Sequence, residues 1–146
     1  MHVDLRFFSR RLGLPPYKKS DRAMHVMSIS ESDWKKFKVL RAVALERFFL
    51  GVLADAKTIS ERETLSAQAR YRTLYQLVQV RDNDIVRTFD LYSRSRARES
   101  LARMVWHDLL TDAELSVLSE ETLTAISYAV RQPYELEWVA EDVSDD

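Results

Sequence analysis

Cysteine is absent from this 146-residue chain, glycine occurs twice and proline three times. Without thiols there is no disulfide, no thiolate zinc site and no cysteine nucleophile, so folding does not depend on an oxidising compartment. Gly13 and Gly51 alone do not supply the positive-φ turns that sheets rich in hairpins and phosphate-cradling loops require. No apolar run approaches the ~18 residues of a bilayer span. The best candidate, Phe48 to Leu53, is short and has Arg47 beside it. The arginine-rich start has the look of an organellar transit segment, but Asp4 breaks the acid-poor rule and no secretory apolar region is present. A soluble, cytoplasmic protein is therefore expected.

What is present fits one globular domain. Apolar residues make up 46% and charged residues 31%, enough for a core without staples at this length. The net charge of −1 conceals a polarity: Arg131 is the one base against eleven acids in 108–146, and everything before it is net basic. Either two faces of opposite sign meet different partners or one half packs on the other, and the second needs no partner.

Pro15-Pro16 and Pro133 bracket a body with helical periodicity. SESD at 30–33 offers a cap at Ser30 or Ser32, followed by Trp34, Phe37, Leu40, Ala44, Phe48 and Val52 as one buried stripe to about Lys57. SERE at 60–63 reads as a capping box opening a second helix, with Ala67, Tyr71, Leu74, Val78, Ile85 and Phe89 inward. That helix is expected to weaken at Asp82-Asn83-Asp84, which are poor helix formers. A third helix is expected from Ser93 or Ser95 to Asp108, burying Ala97, Leu101, Met104 and Val105. TDAE at 111–114 and Ser119 with two glutamates cap two short helices, the last burying Leu123, Ile126 and Val130. After Pro133, YELEWV alternates Tyr134, Leu136 and Trp138.

The expected fold is thus all-α: a single-domain antiparallel helical bundle of about five helices with a small C-terminal helical hairpin. Residues 1–26 read as a basic appendage, 27–132 as the bundle and 133–146 as an acidic tail.

SRSRAR at 93–98 is the densest basic cluster. Arg94, Arg96 and Arg98 at a helix start, with unpaired backbone N–H groups, make a candidate anion or nucleic-acid contact. Arg10, Arg11, Lys18 and Lys19 would join them if the appendage converges there. The competing reading is a solvated or internally paired face. A helix-turn-helix reader at 111–127 is disfavoured, because Glu120 and Glu121 would confront phosphates.

His107 beside Asp108 invites catalysis or metal binding, yet no HExxH or paired ExxH spacing occurs. Arg103 and His107 resemble the Arg and His of helical ribonucleases called HEPN domains over five residues, with a shorter spacing than that family uses, and the assignment is not adopted. His107 reads instead as a helix-end residue favourable to the negative dipole end. Tyr71 and Tyr75, flanked by Arg70 and Arg72, read as core or oligomer contacts before base-stacking platforms.

No catalytic signature, cofactor or metal is expected. The chain reads as a non-enzymatic protein-interaction or regulatory protein working through helical faces, with a protein partner or a second copy of itself. Binding of nucleic acid or a phosphate ligand is the alternative.

Overall fold

The Ser30 hydroxyl accepts from the Asp33 backbone N–H at 3.1 Å, and Glu31 and Asp33 place carboxylates at the positive end of the helix that follows. In the computed structural model, which describes residues 28–140, this helix is the first of five: α1 Glu31–Glu61, α2 Ala67–Phe89, α3 Ala97–Trp106, α4 Asp112–Leu115 and α5 Glu120–Ile126. No strand occurs among the described residues, so the all-α expectation holds. None of their helices is long and apolar enough to cross a membrane.

Along α1, Phe37, Leu40, Ala44 and Phe48 are buried, as their spacing predicted. The helix then runs past Lys57, and this corrects the reading of SERE. Ser60 caps nothing; inside α1 its hydroxyl donates to the Ala56 carbonyl at 2.8 Å. A short turn follows, and Ser66 caps α2 by accepting from Ala69 N–H at 3.1 Å. Arg41 donates to the Phe89 carbonyl, Arg81 to Asp55 and Arg70 to the Ser60 carbonyl. Partners descend along α2 as they ascend along α1, so the two helices are antiparallel.

The buried stripe of α2 also differs from expectation. It comprises Ala69, Thr73, Leu77, Arg81, Ile85, Thr88 and Phe89, while Tyr71 and Val78 face solvent. Two of its polar residues occupy inward positions because they find partners there: Thr73 donates to Ala69 and Arg81 pairs with Asp55. The helix passes through 82–84 without a break, since Asp84 is fixed by an accepted hydrogen bond from Tyr134. Tertiary contacts here outweigh weak local propensity.

α3 begins at Ala97, later than expected; Ser93 to Arg96 form a turn closed by Arg96 N–H to the Ser93 carbonyl at 3.1 Å. Ala97, Leu101, Met104 and Val105 are buried as predicted, and Ser100 donates to the Thr88 carbonyl at 2.6 Å, joining α3 to α2. The helix ends in a Schellman motif. Asp108 takes φ 57°, its N–H bonds Val105, and Leu109 N–H bonds Met104. Arg131 holds the Asp108 carboxylate at 2.9 Å.

Thr111 and Glu114 form the reciprocal capping box of α4, and Ser119 caps α5, both as read from sequence. Ile126 is buried, but Val130 lies beyond the helix and is exposed. Ion pairs join the basic body to the acidic third: Arg47 grips Glu114 at 2.6 and 3.0 Å, and Arg98 reaches Glu121 at 3.2 Å.

Candidate functional site: a stacked ladder beneath a C-terminal strap

Beyond α5 the chain does not trail away at Pro133. Gln132 N–H donates to the Trp106 carbonyl at 2.7 Å, Tyr134 reaches Asp84, and Val139 N–H donates to Thr73 Oγ1 at 3.2 Å. From Asp84 back to Thr73 the helix rises about 16 Å at ~1.5 Å per residue. From Tyr134 to Val139 an extended chain covers the same distance at ~3.3 Å per residue. Residues 134–139 are therefore an extended strap laid antiparallel on α2. Tyr134, Leu136 and Trp138 are half-buried and Glu135 and Glu137 exposed, the alternation expected from the sequence.

The strap is anchored through its tyrosine. The ring of His107 lies parallel to that of Tyr134, 4.6 Å between centroids, and the Arg81 guanidinium carbon sits 3.8 Å from the same centroid. Both cannot occupy one face at those separations, so Tyr134 is held between them. Phe48 meets its edge at 5.9 Å, and its hydroxyl donates to Asp84 at 3.0 Å. Trp106 continues the series at 6.1 Å from His107, 7° from parallel. Arg81, Tyr134, His107 and Trp106 form one ladder, its buried end closed by a guanidinium that Asp55 neutralises at 2.7 Å.

Burial pushes the Tyr134 phenol well above its ordinary range, and the Asp84 carboxylate adds to the shift. Burial likewise lowers the His107 imidazole; Asp84 opposes this, whereas the charges of Arg103 and Arg81 reinforce it. His107 closes α3, the helix-end position read from the sequence, and its ring stacks on Tyr134.

Beside the ladder opens a cleft of about 530 Å³, bordered by α2, the end of α3 and residues 132–137. Trp106 is 44% exposed on it, with its indole N–H fixed by Gln132 Oε1 at 3.0 Å. The size suits a small ligand or a peptide side chain. Periodicity does not reveal this site, because its members are separated in sequence and two of them, Arg81 and His107, are polar. The weak alternation of YELEWV was the one available signal.

The residues singled out from sequence are placed apart from the cleft. Arg94 donates to the Ile29 carbonyl at 3.2 Å and receives Ile29 N–H at its own carbonyl; Arg96 pairs with Glu99 at 2.9 Å and Arg98 with Glu121. Each arginine thus has its own partner within the protein. Arg10, Arg11, Lys18 and Lys19 lie outside the described residues. Tyr71 and Tyr75 are 68% and 56% exposed on the outer side of α2. Among the described residues no three His, Asp or Glu side chains gather as a metal site.

Compared with known proteins, the chain matches no family model, no curated protein and no solved structure.

Proposed function

We propose that this chain is a protein-interaction module, a small antiparallel helical bundle that associates through the outer face of its α1–α2 hairpin, with a second copy of itself as occupant. The observation that carries this reading is the exposure of Tyr71, Tyr75 and Val78 on α2, at spacings of four and three, together with Leu50 and Leu53 on α1. Tyr75 lies about 200° around the helix from buried Leu77, so this is a second apolar stripe, distinct from the one that builds the core. Exposed tyrosines with rigid, amphipathic rings are enriched at protein interfaces. The internal partners of Arg94, Arg96 and Arg98 favour this reading over phosphate binding.

Sedimentation equilibrium across micromolar to millimolar protein tests it. Concentration-dependent dimerisation, weakened at least tenfold in Tyr71→Lys/Tyr75→Lys, is expected. A monomer throughout, or a dimer indifferent to both substitutions, overturns it. Anisotropy of labelled DNA and RNA in the same buffers checks the alternative, which predicts binding that weakens steeply with salt.

A further inference from the structure

The cleft beside the strap offers a different chemistry from the hairpin face. Its aromatic ladder is closed at the inner end by a cation, Arg81 on Tyr134, and open at the outer end on Trp106. Because Gln132 ties down the indole N–H, the orientation of that ring is fixed before any ligand arrives. A cation stacks favourably on a tryptophan face, and a planar guanidinium does so best.

The charges around the cleft point the same way. Arg81 is neutralised by Asp55, and burial disfavours the charged form of His107. Glu135 and Glu137, two apart on the outward side of the strap, both border the cleft, and neither forms an ion pair among the described residues. The opposing charge is Arg103, one turn before His107.

We propose that this cleft is a binding site for an arginine side chain of a basic peptide segment. The guanidinium stacks on Trp106 and pairs with Glu135 and Glu137, repeating at the open end of the ladder what Arg81 does at the closed end. This site is independent of the hairpin face, so either reading can fail without the other.

The test uses the full chain, isotope-labelled, titrated with an acetylated nonapeptide of alternating arginine and alanine. The Trp106 indole N–H resonance is assigned by its disappearance in Trp106→Phe. The expected result is a saturable shift of that resonance, and an affinity lowered at least tenfold by Glu135→Gln/Glu137→Gln. Both substituted side chains are exposed, so the variant keeps its fold, which the dispersion of its spectrum verifies. The proposal is overturned by the absence of a saturable shift, by an equal shift with the same nonapeptide carrying neutral citrulline in place of each arginine, or by unaltered affinity in the double glutamine variant.

Discussion

Asp33 and Thr122 are 89 residues apart, and the Thr122 hydroxyl donates to the Asp33 carboxylate at 2.6 Å inside the protein. Ser119 adds its backbone N–H at 3.1 Å and its hydroxyl, so one carboxylate in the first turn of α1 also gathers the first turn of α5. Burial alone would raise this acid, but the donated bonds from Ser119 and Thr122 outweigh burial and hold it below its ordinary value of 3.8. A depressed carboxyl contributes stability above its unfolded value and loses it as pH falls through the folded one. Asp33→Ala is expected to cost about 2–4 kcal/mol at neutral pH, because three donors lose a charged acceptor. Urea unfolding at pH 7 and again at pH 3 measures it; the gap between wild type and variant should narrow at the lower pH.

Asp90 presents the opposite case. At the C-cap of α2 both its carboxylate oxygens are shielded from water without a hydrogen-bond partner among the described residues. Burial raises its pKa to about 6, and the nearby charge of Arg41 offsets only part of the effect. An acid raised in the folded state binds its proton more tightly there, so its contribution is present below the unfolded value and lost as pH rises through about 6. Asp90→Asn should therefore stabilise the protein at pH 7.5 by about 1–2 kcal/mol after allowance for solvent screening, with little effect at pH 4. Denaturation midpoints at the two pH values decide it; a variant no more stable than wild type at pH 7.5 contradicts the account.

The element starts at Ser30, Thr111 and Ser119 were legible because each rests on local chemistry, a hydroxyl before a run of acids. The same rule applied to Ser60 misplaced the second helix. Capping boxes are satisfied equally well in isolation, and only the surrounding packing decides whether α1 stops there or continues to Glu61. The inward face of α2 was misread for a related reason. Apolar periodicity selects Tyr71 and Val78, whereas Thr73 and Arg81 are inside because Val139, Asp55 and Tyr134 supply partners from distant parts of the chain. The candidate cleft inherits this difficulty: its walls depend on long-range polar contacts that no local pattern encodes.

Tyr134 is the residue on which the strap depends. Its ring is held between Arg81 and His107 with Phe48 against its edge, and its hydroxyl is bonded to Asp84. Two substitutions separate these contributions. Tyr134→Phe keeps the stacking and loses one hydrogen bond to a charged acceptor, a cost of about 1.5–3 kcal/mol. Tyr134→Ala removes the ring as well and should cost about 3–5 kcal/mol, the range for truncating a packed aromatic. The Val139 amide reports the local consequence, since its bond to Thr73 Oγ1 forms only while the strap lies on α2. In Tyr134→Ala that amide should exchange with solvent far faster than the amides of α2 beneath it, whereas Tyr134→Phe should leave most of its protection intact. Equal exchange at Val139 in the wild type and both variants would mean that Trp138, stacked 4.3 Å from the Arg62 guanidinium, holds the strap without the tyrosine.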